Sequence, residues 1–449
     1  MRPLRRIAVI GSGIAGLSAA WSLADPQRHP DTRVTLFEAG SYFGGHTHTV
    51  DVSLPDASGK TVRHGVDTGF LVYNERTYPN LIQLFADLGV ATAPSDMSFS
   101  VRVPEAFGAG RALEWNGSDL DTVFAQRSNL LRPAFWHMLR EILRFNRLCT
   151  ARAERGLEAE MAQPIGDFLD AEGFDARFRD WYFLPMIGCI WSCPTDQMLR
   201  FPIGTMIRFC HNHGLIQVKD RPQWFTVRGG AKHYVQRMLE RLPDARLGLA
   251  VDKVSRVPGG VRVWTLQGSE DFDHVVMACH SDQSLALLAD PSPEERRVLG
   301  AIRYHRNRAV LHTDTTVLPE RRKAWAAWNY ERALSSQREQ ASVCLHYLLN
   351  KLQPLPFAQP VVVSLNPVRE PQQVIGEYDY AHPVFDLAAV RAQGELPALQ
   401  GERNTWFCGA WTGYGFHEDG LKSGLAVARA LEGLPAPADA PRQPLAQFA

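Results

Sequence analysis

The sequence predicts an α/β fold: a parallel-sheet domain assembled from separated segments, joined to an α+β domain with a mixed sheet and a helical insertion. Three observations predict it. A short β-branched run ends in Gly11-Ser-Gly13-Ile-Ala-Gly16 and passes at once into helical periodicity. Strand-like runs return in the middle and near the end of the chain, so one sheet must collect distant segments. Between them, residues 120–209 are helical in pattern and rich in aromatic side chains.

In chain order, residues 6–10 read as a buried strand, 17–23 as a helix and 34–38 as a second strand, a unit whose crossover should be right-handed. Residues 97–115 give short strand-like pieces broken by Pro104 and the Gly108-Ala-Gly110 turn. Strand character returns at 251–254, 261–266 and 274–278, and 309–367 alternates as a second sheet would. A short strand at 405–408 leads through glycines to a helix at 421–431. The proline- and alanine-rich end can bury little. This reading assigns 1–75, 225–290 and 400–434 to a dinucleotide-binding domain. It assigns 76–224 and 291–399 to a substrate domain, and 435–449 to a flexible tail.

The chain has 449 residues, 45% of them hydrophobic, enough for a large core and two or three domains. Its 48 basic and 48 acidic side chains cancel, which argues against nucleic acid as a partner. Seven scattered cysteines form no disulfide framework and suit a reducing compartment. No run approaches the roughly 20 apolar residues of a membrane span. The basic start MRPLRR is followed by a short apolar run that ends in glycines, unlike a signal peptide, so a cytoplasmic protein is expected.

The first glycine cluster carries chemistry because each glycine has a task. Gly11 permits the tight turn, Gly13 lets backbone N–H groups approach a pyrophosphate, and Gly16 lets helix and strand pack closely. The helix amino terminus offers its positive dipole end to the phosphates. Glu38, 22 residues after Gly16, is placed to accept from ribose hydroxyls and would repel a 2′-phosphate.

Gly44-Gly45-His46 after the second strand and Trp406-Phe-Cys-Gly409-Ala-Trp411 before the last helix complete a set. With Val251-Asp-Lys-Val254 and Asp273-His-Val-Val-Met-Ala278 between them, the sequence resembles the amine-oxidase and phytoene-desaturase superfamily of flavoproteins. The resemblance implies a Rossmann-type FAD-binding domain, GR2/amine-oxidase-like, and since no cysteine is placed for a flavin link, FAD is expected to be held non-covalently. It places Gly11, Gly13, Ile14, Ala15 and Gly16 at the ADP half and Glu38 with Ala39 at the ribose. Gly44, Gly45 and His46 lie along the pyrophosphate, Val254 at the adenine, and Gly409, Ala410, Gly420 and Leu421 against the isoalloxazine. Cys408 belongs to a strand and is not expected to link to the flavin.

Asp67-Thr-Gly-Phe70-Leu-Val-Tyr-Asn74, Asn212-His-Gly-Leu215, Pro222-Gln-Trp224 with Arg228-Gly-Gly230, and Gly415-Phe-His-Glu-Asp-Gly420 are similar to a narrower subgroup. Its members are flavoproteins encoded beside, or fused to, cyclopropane-fatty-acid synthases. That likeness implies a fatty-acyl substrate, free or in phospholipid, and a synthase of that kind as partner.

A flavin accepts hydride from carbon that tolerates its loss, beside an amine, an alkene, or a carbon that yields a proton. Trp411 and Tyr414 could flank an amine or pack over the cofactor, and Trp191 is a further pocket candidate. His417 and Glu418 are candidates for proton handling or for binding the flavin, whereas Asp419 reads as a helix cap. The strand around Arg308 to Asp314 offers no lysine of the kind many amine oxidases place near the flavin, which tilts the reading toward lipid. A zinc site from Cys189, Cys193, Cys210, His211 and His213 is set aside in favour of core packing. Residues 181–191 suit an acyl tunnel and a plain core equally. Residues 132–147 carry Phe135, Met138, Leu139 and Ile142 at helical spacing, with Trp136 beside that stripe and Arg140, Arg144 and Arg147 repeating at four and three, a pattern shared by helices at an inner membrane surface and by helices packed on a core. The leading expectation is an FAD-dependent oxidoreductase acting on a fatty-acyl chain. The alternatives are a flavin amine oxidase and a non-catalytic flavin partner of a synthase.

Overall fold

The strand Arg5–Ile10 is buried from its third residue onward because it lies in the middle of a five-stranded parallel sheet. The computed structural model describes residues 4–157, 161–217, 220–334 and 342–434. The sheet order is Ala245–Leu247, Thr32–Glu38, Arg5–Ile10, His274–Met277, Thr405–Phe407, so three distant stretches of chain supply its strands. Both faces are covered, which explains the continuous apolar runs. Ile7, Val9 and Val276 face the helices Ile14–Leu23 and His417–Leu431. Ala8, Ile10, Val275 and Met277 face an antiparallel meander, Val251–Val257, Gly260–Thr265 and Gly268–Phe272.

Glycines let the first helix pack closely against the strand-end turn on one side and the last helix on the other. A Cβ on Gly16 would stand 1.9 Å from the Gly11 carbonyl oxygen, and one on Gly424 would stand 2.1 Å from the Ala15 carbonyl oxygen.

The second domain is built on a seven-stranded mixed sheet, in the order Val374–Val384, Arg303–His312, Val362–Leu365, Cys344–Leu348, Trp328–Glu331, Phe99–Val103, Leu113–Asn116. One face carries Val101, Leu311, Leu345, Val363 and Leu365 into the largest core, shared with the helical insertion. That insertion runs through Pro133–Glu154, a π-helical turn at Arg179–Phe183, Leu184–Trp191 and Ile203–Asn212. The other face is polar and buried, with Ser100, Glu114, Asn329, Glu331, His346 and Ser364.

Two differences from the sequence reading bear on the site. The last helix begins at His417, not 421, so His417, Glu418 and Asp419 form its first turn. The eleven-residue strand Val374–Val384 was not anticipated, because it is half exposed and carries Glu377, Asp379 and Pro383. It nevertheless pairs with all of Arg303–His312.

Candidate active site

One elongated cavity of about 800 Å³ runs from the carboxyl ends of the parallel strands into the space between the mixed sheet and the helical insertion. At the parallel-sheet end it is walled by backbone. Gly11, Gly13, Ile14, Ala15, Glu38, Ala39, Gly44 and Gly45 all line it. The strand carbonyl of Phe37 accepts the Gly11 N–H at 2.9 Å, and Gly11 turns the chain with φ +102°. Gly13 caps the helix Ile14–Leu23, whose first N–H groups face the cavity. A Cβ on Gly13 would meet no atom within 4 Å, so this glycine leaves open a space that a side chain would fill. Gly44 and Gly45 lie against Gly13 in positive-φ conformations.

Glu38 ends its strand with the carboxylate set by backbone donors. Ser12 N–H donates to Oε2 at 3.0 Å and Gly40 N–H to Oε1 at 2.7 Å. His46 also lines the cavity, and its Nε2 is buried without a partner among the described residues. Burial, with the nearby His382 and His280, holds its ring well below the usual histidine range and therefore neutral. An open space at Gly13, a helix amino terminus, a strand-end carboxylate and an orphaned imidazole nitrogen fit a dinucleotide with a pyrophosphate and ribose hydroxyls.

Where the two domains meet, rings dominate. His417 stacks on Phe70 with ring centroids 3.8 Å apart, and its Nε2 hydrogen-bonds the Tyr234 hydroxyl at 2.8 Å. That hydroxyl in turn hydrogen-bonds Thr47. Burial pushes His417 down to about 3, so its imidazole is neutral. Trp411 is almost wholly buried along the wall and donates from Nε1 to the Cys279 carbonyl at 3.3 Å. Tyr414 lines the cavity with its ring 5.9 Å from Phe209.

At the far end Met186, Cys189, Ile190 and Trp191 project from one face of the helix Leu184–Trp191. Trp181, Tyr182, Phe183 and Ile187 turn to the core instead. The aromatic run therefore serves as wall and core at once. Trp191 packs between Phe201 and Phe209, and its Nε1 has no partner among the described residues. His213 stacks on Phe209 at 3.9 Å and hydrogen-bonds the Phe209 carbonyl through Nδ1 at 2.9 Å. A carbonyl only accepts, so Nδ1 carries the proton and Nε2 keeps its lone pair. Burial pushes this ring down to about 4.

Several residues assigned from sequence lie elsewhere. Glu418 points away from the cavity and fastens the start of the helix Pro79–Asp87, accepting from Asn80 N–H and Leu81 N–H at 3.0 Å each. Those two donors would otherwise be orphaned at a buried helix end. Gly420 is a packing glycine, since a Cβ there would come within 2.8 Å of Ile14 Cγ2. Leu421 is buried in the helix–sheet core, and Gly16 serves packing there too. Val254 is fully buried within the meander, and Val251, three residues earlier at the start of the same strand, lines the cavity in its place. Asp419 caps its helix, accepting from Tyr414 N–H and Phe416 N–H. Cys408 is buried and does not line the cavity. The apolar stripe of residues 132–147 faces inward, with Phe135, Met138 and Phe145 in the core and Arg144 paired to Glu141.

The sequence reading missed Tyr380 and His382 as wall residues because it missed their strand. The alternation Tyr378, Tyr380, His382 was the available signal. His382 receives a hydrogen bond from Asn307 Nδ2 at 3.0 Å, and burial lowers its ring to about 4.

Glu331, Cys344 and His346 bring ligand-type atoms within 4.8 Å of one another on the polar face of the mixed sheet, away from the cavity. Arg102 bonds the Glu331 carboxylate. Burial alone would lower His346, yet Cys344 and Glu331 raise it to about 9. The group is a buried ion pair carrying a protonated imidazole, not a set of open ligands.

A parallel-sheet domain and a mixed-sheet domain sharing one cavity, with a dinucleotide cradle at one end, make a two-domain protein of the dinucleotide-binding class. The profile of the flavin containing amine oxidoreductases matches residues 14–339, and the chain belongs to that family. It is an FAD-dependent oxidoreductase. No curated protein sequence matches it. Among solved structures it is similar to cyclohexylamine oxidase from Brevibacterium oxydans, at TM-score 0.67 and 16% identity over 96% of this chain and 100% of that one. A CLA-producing fatty acid isomerase from P. acnes gives TM-score 0.65 and 15% identity, covering 96% and 98%. A putative protoporphyrinogen oxidase from an Exiguobacterium species gives 0.63 and 16%, covering 95% and 98%. These likenesses concern the fold. Among the described residues no helix is long and apolar enough to cross a membrane.

Proposed function

We propose that this oxidoreductase takes a hydride from a fatty-acyl chain, free or in phospholipid, and holds FAD non-covalently. The observation that supports this reading most is the charge of the cavity wall. Among its described lining residues Glu38, at the ribose end, is the only one that carries a charge at neutral pH. No lysine, arginine or aspartate is among the described lining residues, and burial shifts all five histidines there, His46, His213, His280, His382 and His417, toward the neutral form. A cationic amine entering the far end would lose hydration and meet no carboxylate, a cost of several kcal/mol. An acyl chain would gain about 0.8 kcal/mol for each methylene buried there. The fold is shared with a fatty acid isomerase as well as with amine oxidases, so it accommodates both substrate classes.

Bound FAD supplies a two-electron acceptor, later reoxidised by oxygen or another acceptor. Gly11 to Ala15, Glu38 and Gly44 to His46 would hold its nucleotide half. The ring-lined waist excludes water and orients the chain. Loss of a hydride from an allylic methylene and of a proton from a carbon next to the resulting allylic system leaves a new conjugated double bond. His213, with a free lone pair at Nε2, is the residue we assign to take that proton.

Anaerobic titration of the purified flavoprotein tests the reading. Flavin absorbance should bleach on adding unsaturated phospholipid and stay unchanged with a panel of amines. Bleaching by amines alone would overturn it. Bleaching by neither, restored by a cyclopropane-fatty-acid synthase, would favour a partner-dependent role. Acid precipitation should release the flavin into the supernatant, and flavin retained in the pellet would contradict non-covalent binding.

A further inference from the structure

The outer face of the helix Pro133–Glu154 is apolar and basic, and nothing among the described residues covers it. Leu131 is 88% exposed, Leu143 51% and Trp136 49%, with Leu130 beside them at 46%. They form one patch: Trp136 Nε1 donates to the Leu130 carbonyl at 2.9 Å, and Leu143 lies two turns along the same face. Isolated exposed leucines are ordinary, but a contiguous group around a tryptophan marks a surface with a partner.

The exposed charges on this face of the helix itself are basic. Arg140 and Arg147 flank Leu143 on the exposed face. Arg140 bonds the His137 ring at 3.2 Å, and among the described residues neither Arg140 nor Arg147 pairs with an acid. The nearby Asp121 is paired with Arg127 and Lys323, and Asp175 caps a short helix by accepting from Phe178 N–H at 2.9 Å. The inner face of the same helix packs on Ile203–Asn212, whose Phe209 lines the cavity. The helix itself contributes no described residue to the cavity wall and lies one layer behind it.

We propose that this face seats on an anionic lipid surface. Trp136, Leu130, Leu131 and Leu143 would enter the acyl boundary, while Arg140 and Arg147 meet phosphate groups. The surface keeps Trp136, Arg140 and Arg147 of the sequence expectation but not its apolar stripe, since Phe135 and Met138 are buried and Leu139 and Ile142 half-buried against the core. The proposal rests on the reading of the cavity as an acyl site, since seating on lipid would bring the enzyme to the surface that holds acyl chains.

The test is co-sedimentation of the flavin-loaded protein with vesicles of phosphatidylcholine alone or with phosphatidylglycerol added. Binding should be at least tenfold tighter to the anionic vesicles and weaken with salt. Leu131→Asp with Trp136→Asp should abolish it, and Arg140→Glu with Arg147→Glu should remove the preference for anionic lipid. Both variants should keep their flavin and bleach normally with detergent-dispersed lipid, which separates this proposal from the substrate assignment. Wild-type protein left in the supernatant would overturn it. So would equal binding by the variants, or a dimer in sedimentation velocity that the same substitutions dissociate.

Discussion

The two ends of the cavity are built by different means. At the parallel-sheet end the wall is mostly backbone, and residue type is dictated by what the backbone must do. At the far end the wall is side chains, and Met186, Ile190, Trp191 and Phe209 are the types any core would use. The first end tolerates almost no change of residue type, whereas the second constrains volume and polarity more than identity. Substitutions at the two ends should therefore fail differently.

The largest effect is expected at a glycine pair within the first end. Gly16→Val should yield little folded protein, because its Cβ would overlap the Gly11 carbonyl. Gly13→Ala should leave the melting of flavin-free protein unchanged within about 0.5 kcal/mol, since its Cβ meets nothing, yet should lose flavin. Equal destabilisation by the two would erase the distinction between packing and ligand-facing glycines.

His346→Gln probes the polar face behind the far end, where stability and chemistry should separate. It should cost about 3 kcal/mol by stranding Glu331 with less than its full complement of charge. The imidazole is raised above its unfolded value to about 9, so its contribution is complete below about 6.5 and is lost as pH rises through 9. The difference in denaturation midpoint between wild type and variant should shrink over that window, while flavin content stays constant.

At the far end, His213→Gln should lower kcat about 100-fold, or about 2.7 kcal/mol, and keep the flavin. A loss in KM alone would demote it to a packing residue. Smaller still, Glu418→Gln should cost about 2 kcal/mol of stability by weakening the cap of Pro79–Asp87. Turnover per bound flavin should be unchanged.

How much could be read from sequence follows the same division. Gly11, Gly13, Glu38, Gly44 and Gly45 were legible because a turn, a phosphate approach or a strand-end carboxylate admits few residue types. Glu418 was misread because its partner, the start of the helix Pro79–Asp87, lies more than 300 residues away in sequence. Val254 was chosen over Val251 because strand pattern alone does not say which residue reaches the edge. Tyr380 and His382 were hidden in a strand too polar to announce itself. The orientation of the helix Pro133–Glu154 was equally opaque, since both of its faces carry apolar and basic residues and only packing decides which is buried.

The central claim is that the uncharged far end receives an acyl chain and removes two hydrogens from it. The most direct measurement is mass analysis of acyl chains recovered after a single anaerobic turnover with unsaturated phospholipid. The account predicts one chain lacking two hydrogens for each flavin reduced. Flavin reduced with every recovered chain intact, or reduced only when an amine is supplied, would contradict it.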